Sequence, residues 1–142
     1  MAMTPRSIYI IAILLCMGTA AVNSIWFGLE LRRFVNQTRM LSNENDMNNY
    51  KTVVAHQMYA ALVLILLLVP PPVIYFLGLR ADELSGADIL FVIVPAALII
   101  LLAVYFKRYE SLAKTMPVGT QELLEERDAV VHTWQRKPLP NW

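Results

Sequence analysis

The chain has 142 residues, enough for one domain, of which 57% are hydrophobic and only 16% charged. Soluble domains carry about 25% charged residues; here the apolar excess is gathered into three runs, which excludes an ordinary soluble globule. A net charge of +1 supplies no strong field for nucleic acid, and a single cysteine, Cys16, excludes an internal disulfide.

The first run, Ile8 to Leu31, reaches roughly 36 Å as a helix, at about 1.5 Å per residue. That exceeds the roughly 30 Å hydrocarbon core, so the run spans a bilayer with some tilt. No charge precedes Glu30 in it, and Trp26 and Phe27 lie near its end, where interfacial aromatics belong. A secretory signal is the competing reading, with Arg6 as its charged region and cleavage near Ala20 and Ala21. The run continues through Ile25, Trp26 and Phe27 to spanning length, so an uncleaved anchor is expected.

Small side chains recur at every fourth position of this run: Ala12, Cys16, Ala20, Ser24 and Gly28. Such spacing keeps them near one helix face and lets another helix approach closely within a membrane. Each four-residue step turns the helix by about 40°, so five rungs drift by about 160° and one partner uses about three. The expected partner-facing rungs are Cys16, Ala20 and Ser24, with Asn23 alongside to hydrogen-bond across the contact. Internal packing against the other two runs is the plainer use of the same residues.

The link from Arg32 to His56 is polar. Leu31, Phe34, Val35 and Thr38 keep helical spacing, so the first helix is expected to continue to about Leu41. The stretch Ser42 to Asn49 is turn-rich, and an Asn or Asp within it is expected to cap the next helix. The pattern predicts a helical hairpin projecting from the membrane. The sequon at Asn36-Gln37-Thr38 lies close to the membrane on the side assigned below to the cytoplasm, and no modification is expected.

The second run, Met58 to Leu79, is interrupted by Pro70, Pro71 and Pro72. Three missing amide hydrogens leave the carbonyls of Leu66, Leu67 and Leu68 without their usual partners. Val69, Pro70 and Pro71 each precede a proline and are expected to leave the helical region. Freed backbone groups in lipid need shelter from protein or water. A transport pathway would also call for ionisable groups within the membrane, and the central parts of the three runs contain none.

The third run is Ile89 to Phe106, with Pro95 in its first half. Seven cations in the link and just after the third run fall on one side: Arg32, Arg33, Arg39, Lys51, Lys107, Arg108 and Lys114. Two, Arg6 and Arg80, fall on the other. The positive-inside rule then places the N terminus outside and the link and tail in the cytoplasm.

The tail, 107–142, breaks at Met116-Pro117-Val118-Gly119, and Thr120 is placed to cap a helix over about 120–135. Leu123, Leu124, Val130, Val131 and Trp134 form its apolar stripe, too short for a core and expected to dock on a partner, the hairpin tip or the lipid surface. Glu125, Asp128 and His132 share a face at metal-ligand spacing, although a solvated face with an Asp128–His132 pair is the favoured reading. His56 is the one other histidine, at the edge of the second run; a bis-histidine haem site within one copy is not expected.

The sequence therefore predicts an all-α integral membrane protein. It has a three-span domain over 1–106 (spans 8–31, 58–79 and 89–106), a cytoplasmic helical hairpin extension and a short amphipathic C-terminal helix. Phosphate loops, dinucleotide glycine motifs, zinc-binding cysteine pairs, nucleophile elbows and catalytic carboxylate dyads are absent, and no cofactor or metal is expected. The expected role is a non-catalytic accessory or scaffold subunit of a larger membrane complex, respiratory, photosynthetic or secretory, in a bacterial inner membrane. Its partners would be other membrane subunits, lipid and conceivably further copies of itself. Two alternatives stand beside it. One is a self-assembling pore or small transporter, whose layout resembles some phage holins at the level of topology. The other is a haem- or metal-binding redox subunit using His56.

Overall fold

The computed structural model describes residues 4–142. Among them the chain forms α1 (Pro5–Gln37), α2 (Glu44–Leu68), α3 (Pro70–Arg80), a 3-10 turn (Gly86–Ile89), α4 (Leu90–Lys114) and α5 (Gln121–Arg136), with no strand. Three apolar helical stretches are long enough to cross a membrane: Pro5–Gln37, Glu44–Arg80 and Gly86–Lys114.

Each start has a local cause. At α1, the Thr4 hydroxyl accepts from the Ser7 amide at 3.3 Å, and Pro5 follows at the first helical position, where its missing amide hydrogen costs nothing. At α2, Asn43 Oδ1 accepts from the Asp46 amide at 2.9 Å while Asp46 Oδ2 accepts from the Ser42 amide at 3.0 Å. The turn-rich stretch is thus shorter than its composition implies, because its acids are first-turn residues of α2. At α5, Thr120 Oγ1 accepts from the Leu123 amide at 3.3 Å, the expected cap.

Two boundaries differ from expectation. Helix α1 stops at Gln37 rather than near Leu41. Leu41 instead runs alongside Val118: its amide donates to Pro117 at 2.9 Å, and its carbonyl accepts from the Gly119 amide at 2.9 Å. A backbone paired this way cannot also close helical bonds. The proline triplet interrupts the second run less than expected. Val69 keeps helical dihedrals, φ −71° and ψ −46°, and its amide still donates to Ile65 at 3.2 Å. Pro70, Pro71 and Pro72 then form the first turn of α3, where amide hydrogens have no intrahelical acceptor. The break is one residue wide, and the steric bias against Val69 is overcome.

The chain divides into two compact units. The first comprises the chain up to Ile25 with Val63–Leu102. Its core is thin: Ile13, Met17, Ala20, Tyr75, Leu84 and Ile99. Gly78 makes room for it, since a Cβ there would lie 2.7 Å from Leu84 Cγ. Arg6 Nη2 donates to Asp88 Oδ1 at 2.7 Å, and Asp88 Oδ2 accepts from both the Ser85 amide and hydroxyl. The second unit comprises Trp26–Leu62 and Ala103–Trp142. Its core is larger, with Leu31, Leu41, Met47, Tyr50, Val54, Met116, Leu123 and Val130 among its buried residues.

Candidate functional site

The polar chemistry gathers in the second unit, where α1 and α2 run as an antiparallel hairpin. Residues placed symmetrically about 42–43 meet across it. The Phe34 and Tyr50 rings lie 6.1 Å apart, Gln57 Nε2 donates to the Phe27 carbonyl at 2.7 Å, and His56 Nδ1 lies 2.8 Å from Glu30 Oε1. The Phe27 ring meets the His56 ring edge-on at 6.0 Å. Glu30 is the first charged residue of the first apolar run, next to its end, and His56 the last ionisable group before the second, so the hairpin brings them to the same level.

This pair is incompletely satisfied. Glu30 Oε2 is shielded from solvent and has no hydrogen-bond partner, a state that costs about 1–3 kcal/mol for a polar atom and more for a charged one. Beside it runs a groove of about 310 Å³, whose polar lining includes Glu30, Arg33, Gln37, Asn49 and Thr52. One carboxylate facing a guanidinium makes a poor cation cage. Among the described residues no group of three or more His, Cys, Asp or Glu side chains is placed to hold a metal.

The tail covers the far side of the hairpin. Leu123 and Val130 are buried, with Val131 and Trp134 packed against the same core, and Leu124 is half-buried. Three polar contacts fix α5. Lys51 pairs with Glu126, Arg127 Nη1 donates to the Met116 carbonyl at 2.7 Å, and the Lys114 ammonium sits 4.8 Å from the centre of the Trp134 ring. Tyr50 is fully buried, and its hydroxyl donates to the Ala113 carbonyl at 3.1 Å. The stripe thus packs on the hairpin of its own chain, one of the dockings expected of it. Asp128 pairs with Arg127 rather than His132, because the guanidinium is anchored one residue away.

The small residues of α1 pack in several environments. Ala20 is fully buried inside the first unit, among Ile13, Met17 and Tyr75. Gly28, in the second unit, lies against Phe106 so closely that a Cβ would come within 2.6 Å of the ring Cγ, and nearer still to Cδ2 and Cε2. Ser24 returns its hydroxyl to the Ala20 carbonyl at 3.0 Å. Ala12, Cys16 and Asn23 are half-buried. The ladder winds about the helix axis, and Ala20 and Gly28 are both covered by this chain, which is the internal packing open to the same residues. The open side of α1 instead carries Leu15, Gly18, Thr19 and Val22, and a Cβ on Gly18 would meet nothing within 4 Å. Of the prolines, Pro71 is buried, Pro70 half-buried and Pro72 exposed.

Sequence reasoning singles out His56 but misses its partner Glu30 and the adjacent Gln57 contact, and it misses Arg127, which anchors the tail helix. The symmetry of the hairpin about its asparagine-rich turn is the signal that finds the first two. Nothing comparable marks Arg127, which is placed by the break at Pro117. Comparison with known protein families, curated proteins and solved structures returns no match.

Proposed function

We propose that this chain is a three-span integral membrane protein that serves as a non-catalytic subunit of a larger membrane assembly, in a bacterial inner membrane. One observation carries the reading. In the most apolar 18-residue window of each long helix only 6% to 17% of the residues are buried within the chain. Three helices so little covered by one another expose apolar side chains along most of their surface, which suits lipid and neighbouring helices and not water. The charge distribution supports the orientation. The second unit holds Arg32, Arg33, Arg39, Lys51, Lys107, Arg108 and Lys114, whereas the first holds only Arg6 and Arg80. The cations of the second unit then lie in the cytoplasm, where its hairpin and tail form a small folded head. The partner's helix lies on the open side of α1, at Leu15, Gly18 and Val22, where a small residue permits close approach.

The test has two stages. Alkaline extraction of membranes should leave the chain in the pellet. Mild solubilisation followed by native mass analysis should then recover it with other membrane polypeptides. A stable, folded monomer as the sole species would refute the subunit role.

A further inference from the structure

We propose that the groove between α1 and α2 binds the headgroup of phosphatidylethanolamine, with the ammonium on Glu30 and the phosphate on Arg33, an inference that rests on the membrane reading above. The groove is a product of helical spacing. Arg33, Phe34 and Gln37 stand three, four and seven residues after Glu30, and Asn49, Thr52 and Val53 stand seven, four and three before His56. Each set therefore keeps to one side of its helix. The Glu30–His56 contact marks the membrane end of the groove. Its space, about 310 Å³, is at the small end of ligand pockets, enough for a headgroup and too little for a whole lipid.

The groove carries one charge of each sign, and the two are not spent on each other. Glu30 gives Oε1 to His56, and Arg33 enters no ion pair among the described residues. Glu30 Oε2 lacks a donor. A small turn about the broad terminal torsion of this side chain presents Oε2 to the groove while Oε1 keeps His56. The matching ligand holds an N–H cation close to an anion. Ethanolamine phosphate has both: ammonium hydrogens for the carboxylate, and phosphate oxygens for the forked donors of Arg33 and the side-chain amides of Gln37 and Asn49. Choline has no N–H and glycerol phosphate has no cation, so neither answers Glu30. The position of the groove selects a lipid over a free amine. Glu30 to Gln37 rises about 10 Å, whereas the headgroup layer is about 5–8 Å deep on each side of the hydrocarbon. The groove thus starts at the base of that layer and passes through it. Toward the hydrocarbon, Trp26 stands one turn from Glu30 and Tyr59 one turn from His56, both exposed, as interfacial aromatics for acyl chains to lie along.

The experiment is native mass spectrometry of the full chain released from micelles containing equal dioleoyl phosphatidylethanolamine, its N,N-dimethyl derivative, phosphatidylcholine and phosphatidylglycerol. Retention should follow the number of N–H donors, with phosphatidylethanolamine favoured over phosphatidylcholine by about tenfold, as for a hydrogen bond to a charged group. The two charges should separate in variants whose helix content is read in the same micelles. Glu30→Gln should bring that ratio close to one. Arg33→Gln should lower retention of both lipids at least about fivefold and leave the ratio. The Arg33 side chain is exposed and unpaired, so this variant and the lipid series on the unaltered chain stand even where Glu30→Gln disturbs the hairpin. Equal retention of phosphatidylethanolamine and phosphatidylcholine, or undiminished retention in Arg33→Gln, overturns the site. So does a preference for phosphatidylglycerol, which would mark a general basic surface. Displacement by free phosphoethanolamine at equal concentration would assign the groove to a soluble amine phosphate and overturn the lipid. Release of the chain by alkaline extraction would instead overturn the membrane reading on which the site depends.

Discussion

Gly28 offers a test in which the structure opposes the effect expected from helix propensity. An exposed glycine within a helix is normally improved by alanine, by about 1 kcal/mol of helix propensity. At Gly28 the added methyl would stand 2.6 Å from Phe106 Cγ, with two further ring carbons nearer still. Carbon atoms in contact prefer about 3.5–4.0 Å, so the overlap is about 1 Å and involves the root of the ring, which cannot yield by turning its tip. Overpacking of this kind costs about 1–3 kcal/mol, and Gly28→Ala should therefore be neutral to destabilising by about 2 kcal/mol. Replacing the ring first removes the obstacle. In a Phe106→Leu background, Gly28→Ala should become stabilising by up to about 1 kcal/mol. Reversible unfolding in mixed micelles, followed by far-ultraviolet circular dichroism, measures all four members of the cycle. A Gly28→Ala change that stabilises both backgrounds equally would show that α1 and α4 do not touch at this level.

Other substitutions follow from the same geometry. Ala20→Leu should destabilise the isolated chain by about 1–3 kcal/mol, because its side is filled. Gly18→Leu should leave the isolated chain's melting unchanged while lowering recovery of co-purifying membrane polypeptides; the opposite pattern would return Ala20 to an outside contact. Tyr50→Phe removes the bond to the Ala113 carbonyl and should cost about 1–3 kcal/mol in the same unfolding assay; no loss would place that carbonyl in contact with water. Thr120→Ala should cost about 1 kcal/mol and speed hydrogen exchange at the first amides of α5, an effect absent if the tail is held by its stripe alone.

The long helices could be read from the sequence because runs of apolar residues at spanning length have few other uses. The tail helix could be read because Thr120 caps it and its two faces differ in polarity. The side of α1 that meets its neighbours could not. In a span, the face toward lipid and the face toward protein are equally apolar, so periodicity gives no azimuth. Spacing alone then joined Ala20 to Cys16 and Ser24 on one surface, although the helix had already turned Ala20 inward. The prolines do break the helix, but more narrowly than expected, for another reason. Each is a helix breaker when taken singly, but three in succession fill one first turn, where none of their missing donors is needed. The Glu30–His56 pair was legible in principle, as two polar residues equidistant from a hairpin turn. It was not drawn because the length of the turn, and hence the register, depends on which residue caps α2.

The pairing of Leu41 with Val118 has a consequence for how the protein comes into being. Its two strands of backbone are separated by most of the chain, and closing so long a loop is slow relative to the formation of local helices. The head it joins draws on residues 26–62 and 103–142, so during synthesis the early half must wait for the last. Until α5 arrives, Met47, Tyr50 and Val54 lack part of the cover that buries them. If the third run fails to insert, or inserts with the wrong hand, the tail emerges on the far side of the bilayer and that cover never comes. On the three-span reading proposed above, completion of the head therefore requires that all three runs have crossed in order.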